Sequence, residues 1–128
     1  MMGMPRPTFL VAESEPEQAL SVRKLVLETA KYNVLTAHST REAMDLFGLF
    51  PKMSAAILVL DSAIDCDQVA RTIKSNNKDM PVVALTPRIA ERCNWADHTL
   101  SSHEPEQLVL LMRSLVGDPR SDHGEKLV

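Results

Sequence analysis

The chain has 128 residues, a formal net charge of −3 and an isoelectric point near 5.8. That length suits one domain with a substantial core, and the acidic balance offers no basic field for a phosphate backbone, so direct nucleic-acid binding is not expected. No apolar stretch approaches the roughly 18 residues of a membrane span, and the start MMGMPRP has neither the charged nor the apolar region of a secretory signal, so no membrane association and a cytoplasmic location are expected.

Residues 1–7 read as a disordered arm, and the first apolar run, TFLVAE (8–13), ends in an acid. Ser14, Glu15 and Pro16 then lead into a helix, where Pro is tolerated in the first turn. Ala19, Val22, Leu25, Val26 and Ala30 recur at three- and four-residue spacing and predict its apolar face. Arg23-Lys24 and, further on, Lys74 read as solvated helix faces. YNVLTA (32–37) reads as a second strand. Ser39-Thr40-Arg41-Glu42 has the form of a capping box, in which the hydroxyl and the carboxylate satisfy free amides at a helix start. Ala43, Leu46, Phe47 and Phe50 continue that helix to Pro51.

Ala55 to Leu60 is an unbroken apolar run, as in a strand covered on both faces, and it ends at Asp61. Val69, Ala70 and Ile73 mark a third helix, and MPVVALTP (80–87) a further buried strand ending in Thr86. The segment RIAERCNWADHTL leaves room for one or two helical turns before a short strand near His98 to Leu100. Trp95, the one tryptophan, is expected to pack into this segment. Cys66 and Cys93 have no CxxC partner or metal-ligand spacing, which predicts two free thiols. Glu104-Pro105 opens a last helix with Leu108, Leu111, Met112 and Leu115 on one face, ended by Gly117, and 118–128 reads as a flexible tail.

Strands alternating with helices at this spacing predict a parallel α/β sheet with helices on both faces, with five strands and about five helices. With only four glycines, no glycine-rich phosphate loop is present. In open parallel sheets ligands collect at the carboxyl ends of the strands, which here carry Glu13-Ser14, Asp61 and Thr86. Taken alone, Asp61 reads equally as a cap for the following turn, and Thr86 as a strand residue before a turn Pro.

FLVAESEP, ILVLD, PVVALT and EPEQL, in this order and spacing, resemble the receiver domain of bacterial two-component response regulators, over about Phe9 to Leu115. The resemblance implies a flavodoxin-like, doubly wound, five-stranded parallel sheet of order 2-1-3-4-5, occupying 8–117. It implies that Asp61 is a phosphoacceptor and Thr86 the switch hydroxyl. Glu13, Asp61 and the carbonyl of Ala63 would be the Mg²⁺ ligands, and the partner a sensor histidine kinase or another signalling protein.

The departures from that pattern are specific. Ser14 stands where the family has its second acid, and a neutral oxygen is a weak ligand for a hard dication, so Mg²⁺ binding is expected to be weak or absent. Ser101 stands where the family has a Lys, and His98 at the place of its switch aromatic, where it is a partial substitute or a surface residue. The loop after Asp61 is short and lacks Gly and Pro, which puts the Ala63 carbonyl in question. Eleven residues separate Thr86 from His98, so the family's fourth helix is shortened or lost. Two functions follow: a receiver-like domain in phosphorelay signalling with an impaired site at Asp61, or a pseudo-receiver acting by partner binding or dimerisation. Neither is an enzyme. Val109 and Leu110 point outward on the last helix and, together with the segment RIAERCNW, suit a partner or homodimer contact.

Overall fold

The computed structural model describes residues 6–14, 22–60, 64–87 and 93–118. Five strands, β1 (Thr8–Ala12), β2 (Asn33–Ala37), β3 (Ala55–Val59), β4 (Val82–Thr86) and β5 (His98–Ser101), alternate with helices α1 (Val22–Thr29), α2 (Thr40–Leu49), α3 (Cys66–Asn76) and α4 (Pro105–Val116). The strands form one sheet in the order β2-β1-β3-β4-β5, with every pairing parallel. This is the expected flavodoxin-like order. Among the described residues no helix lies between β4 and β5, where about five helices in all were expected. Residues 1–5 and 119–128, which fall in the expected arm and tail, lie outside the described residues.

The apolar strands are legible because both sheet faces are covered. Leu10, Ala12, Ala56, Leu58, Val82 and Ala84 pack with Ala43 and Phe47 of α2 and Val69, Ala70 and Ile73 of α3. The alternate residues Phe9, Val11, Ala55, Ile57, Val83 and Leu85 pack with Leu27 of α1 and Leu108 and Met112 of α4. Period-two alternation of the strand side chains divides one continuous apolar run between two layers. No helix among the described residues is long and apolar enough to cross a membrane.

The helix ends follow local chemistry. Ser39 Oγ accepts from Glu42 N at 3.1 Å, as the capping box requires, while the Glu42 carboxylate accepts from His38 N at 2.6 Å, one residue before the cap. Helix α1 ends with Lys31 at φ 75°, and Tyr32 N donates to Leu27 O at 3.0 Å, a five-residue closure that needs this left-handed residue. Tyr32 then stacks on Phe9, with ring centroids 4.7 Å apart, and its hydroxyl donates to Gly117 O at 2.5 Å.

Four expectations are corrected. Of the apolar face expected for α1, Ala30 is 4% exposed and Val26 packs against the core, but Leu25 is 53% exposed, and the inward side also carries Arg23 and Leu27, at i and i+4; Ala19 and the Val22 side chain lie outside the described residues. Lys74 is not a solvated charge: its Nζ donates to Asp97 Oδ2 at 2.8 Å and to Met80 O at 3.0 Å, at the amino-terminal edge of β4. Cys66 and Cys93 are not free thiols but a disulfide, with Cα atoms 5.9 Å apart. The fold brings the first residue of α3 against the β4–β5 connection, a proximity that a sequence separation of 27 conceals. Trp95 is not packed away within its segment as expected; it is 48% exposed.

The β4–β5 connection is thereby fastened to α3. Besides the disulfide, Asn94 N donates to Asp67 Oδ1 at 2.8 Å, and Asp97 Oδ2 also accepts from Val82 N at 2.8 Å. Cys93 and Ala96 take part in the α2/α3 layer of the core.

Candidate functional site

The carboxyl edge of the sheet is built from strand ends. Chain order reverses direction between β1 and β3, since β1 is followed by β2 on one side and β3 joins on the other. Such a switch point opens a crevice between the two connecting loops. Glu13, directly after β1, sits there and is 3% exposed. Its backbone is fixed on the β2 side: Glu13 N donates to Ala37 O at 2.9 Å, and the His38 ring donates through Nδ1 to Glu13 O at 3.1 Å. Its carboxylate faces Arg23, with Nη1 3.6 Å from Oε2. A carboxylate this deep requires partners to remain charged, and the guanidinium is one of them.

On the other side of β3, Thr86 closes β4 and is 7% exposed. Its carbonyl accepts from Ser102 N at 2.9 Å, and it lies in register with Ser101 of β5. The strand between them keeps its pairing through Leu60, whose N donates to Leu85 O at 2.8 Å. Asp61 is the next residue in the chain; it and Ala63 lie outside the described residues. Ser14 is exposed beside Glu13. Ser101 Oγ accepts from His103 N at 3.2 Å, which ties it into the turn before α4. His98 is half-buried and in register with Val83, three positions before Thr86 and so about 10 Å from that edge along the strand.

The structure therefore brings Glu13, Ser14, Thr86 and Ser101 to one edge, and leaves His98 toward the other end of β5. Among the described residues no group of three His, Cys, Asp or Glu side chains converges as a metal cluster. The described oxygen donors beside Glu13 are its own carboxylate, which faces a guanidinium, and the Ser14 hydroxyl, a weak ligand for a hard dication; the other expected ligands, Asp61 and Ala63, lie outside the described residues. Arg23 is the residue the sequence reading missed. Its signal was its place in the 23-27-30 stripe, which turns the side chain toward the sheet. Lys74 does not replace the missing Lys, since it is bound at the opposite edge of β4.

No family model matches the chain, and no curated protein matches it in sequence. Solved structures do match in shape. The response regulator TrrA of Thermotoga maritima, solved in complex with Mg²⁺ and BeF, superposes with a TM-score of 0.69 at 24% identity, covering 86% of this chain and 99% of that one. A response regulator receiver domain of Clostridium thermocellum gives 0.71 at 21% identity, covering 95% and 99%. The receiver domain of a sensor histidine kinase of Pseudomonas aeruginosa, with a magnesium ion coordinated in its active-site cleft, gives 0.71 at 17% identity, covering 88% and 99%. With the strand order and the edge residues above, these likenesses establish that the chain has the fold of a response regulator receiver domain.

Proposed function

We propose that the chain is a receiver-like signalling domain of a two-component phosphorelay, spanning 8–117 between an arm and a tail, with Asp61 at an impaired phosphoacceptor position. One observation carries the reading. The parallel register puts a buried acid, Glu13, and a buried hydroxyl residue, Thr86, at the carboxyl edge on the two strands flanking β3, and the residue that follows β3 and Leu60 is Asp61. In a receiver, an aspartate there accepts a phosphoryl group from a kinase and the hydroxyl residue responds to it. The expected partner is a sensor histidine kinase or another signalling protein, the expected location is cytoplasmic, and no enzymatic turnover of a separate substrate is proposed.

Impairment rests on charge. Phosphoryl transfer depends on positive charge near the equatorial oxygens. Ser14 withholds a metal-binding carboxylate, and Ser101 withholds an ammonium group. These same substitutions support a second reading, a pseudo-receiver that acts by binding a partner or a second copy. The surface suited to it lies between α1 and α4, where Val26, Pro105, Val109 and Leu110 line a hollow of about 290 Å³ and Leu25 and Leu110 are exposed.

Beryllofluoride with Mg²⁺, followed by amide resonances, tests the assignment. Weak shifts, unsaturated at millimolar ligand and centred on Glu13, Thr86 and Ser102, are expected. Tight saturation at those residues would restore a fully competent receiver, and shifts confined elsewhere would remove the receiver reading.

A further inference from the structure

We propose that Arg23 is the resident cation of the carboxyl-edge crevice, neutralising Glu13 in the role that a divalent ion fills in a metal-dependent site. The inference deepens the receiver-like reading and rests on it. It begins with helix register. Leu27 is fully buried and Ala30 is 4% exposed, so the residue one turn before Leu27 is directed at the sheet. Lys24, the next residue, is exposed, as a charge at that position is expected to be. The Arg23 side chain is only 24% exposed, and its Nε is buried without a hydrogen-bond partner among the described residues. A guanidinium turned inward loses hydration and needs compensation, which the Glu13 carboxylate, 5% exposed and 3.6 Å away, provides.

The strand end and the helix cooperate. Helix α1 follows β1, and its first described turn brings Arg23 to the Glu13 carboxylate at the carboxyl end of that strand. A dication entering there meets a carboxylate whose charge is already balanced, and it is repelled by the fixed positive charge behind it. Ser14 fits the same arithmetic: the end of β1 carries one buried acid instead of an adjacent pair, so Glu13 itself is balanced by a single positive charge. The single acid at the end of β1 and the inward arginine are thus two parts of one arrangement. The carboxylate is held ready without metal, and the crevice does not depend on the Mg²⁺ concentration.

The test uses the full chain as wild type and as Arg23→Met, Arg23→Gln and Arg23→Lys, titrated with MgCl₂ while amide resonances of Glu13 and Ser14 and the melting temperature are followed. Wild type and Arg23→Lys are expected to bind weakly, without a rise in melting temperature. Arg23→Met and Arg23→Gln are expected to melt lower, to bind Mg²⁺ at least tenfold more tightly, and to recover melting temperature as the ion is added. Adding Glu13→Gln should abolish that gain. The proposal is overturned if both variants bind Mg²⁺ no better than wild type, if their lost melting temperature is not restored by the ion, or if wild type saturates below millimolar Mg²⁺. Its failure leaves the receiver-like reading intact, since the beryllofluoride shifts test that separately.

Discussion

Lys31 shows how much a single dihedral can carry. It ends α1 at φ 75°, a left-handed conformation that costs a residue with a Cβ roughly 1–2 kcal/mol and that glycine adopts freely. The turn is required because Tyr32 must leave the helix at once to stack on Phe9 and reach Gly117. Lys31→Gly is therefore expected to stabilise the fold by about 0.5–1 kcal/mol, part of the gain being offset by the greater freedom of the unfolded glycine. Denaturant midpoints compare the two chains; a loss of stability would mean that the turn is not left-handed. At the same scale the sequence is least legible where a charge works inside the molecule. Arg23 and Lys74 read as surface residues because the partners that draw them inward, Glu13 and Asp97, lie on other elements, and only the 23-27-30 spacing hints at the inward turn of Arg23. Glu13 and Thr86 were legible because a polar residue at the end of an apolar strand announces its own position.

Among the elements, the strands were readable and the helix faces less so. An apolar run such as Ala55 to Leu60 needs no phase, since both sides are buried, whereas a helix face depends on which of two overlapping stripes wins. In α1 the stripe through Leu25 lost to the stripe through Leu27, which packs with Val11 and Ile57 under the sheet. Leu27→Ala is expected to cost about 2–5 kcal/mol, as a fully buried leucine does. Leu25→Ala, at an exposed position, should change stability by less than about 0.5 kcal/mol. Equal costs in chemical denaturation would show that the face is misassigned. The β4–β5 connection was the least readable element, because it is held by contacts distant in sequence. Its disulfide closes a loop across a separation of 27 residues, worth about 3–4 kcal/mol on a chain-entropy model. Cys66→Ser/Cys93→Ser is expected to lose about 2–4 kcal/mol, and the oxidised native protein should show no thiol to an alkylating reagent after denaturation. Two modified thiols in unreduced protein would contradict the crosslink.

For the whole molecule, a doubly wound sheet separates two candidate surfaces in space. The proposed phosphoacceptor position lies at the carboxyl edge, and the hollow between α1 and α4 lies on one flank, where Leu25 and Leu110 leave apolar surface exposed. If signalling proceeds by association rather than by phosphoryl chemistry, that flank is the surface to alter. Leu110→Lys and Leu25→Glu are expected to weaken self-association or partner binding at least tenfold, about 1.4 kcal/mol, without changing the melting temperature. Sedimentation velocity over a concentration series reads this for the homodimer, and unchanged association in both variants would move the interface elsewhere. The topology was legible from the alternation of strands and helices; the competence of the site was not, because it depends on whether charges meet. The measurement that tests the central claim most directly is the intact mass of the protein during incubation with acetyl phosphate and Mg²⁺, beside Asp61→Asn. The impaired receiver-like site predicts slow, substoichiometric phosphoryl addition that disappears in Asp61→Asn; rapid, stoichiometric addition lost in that variant would contradict the impairment, and addition retained in it would contradict the assignment of Asp61.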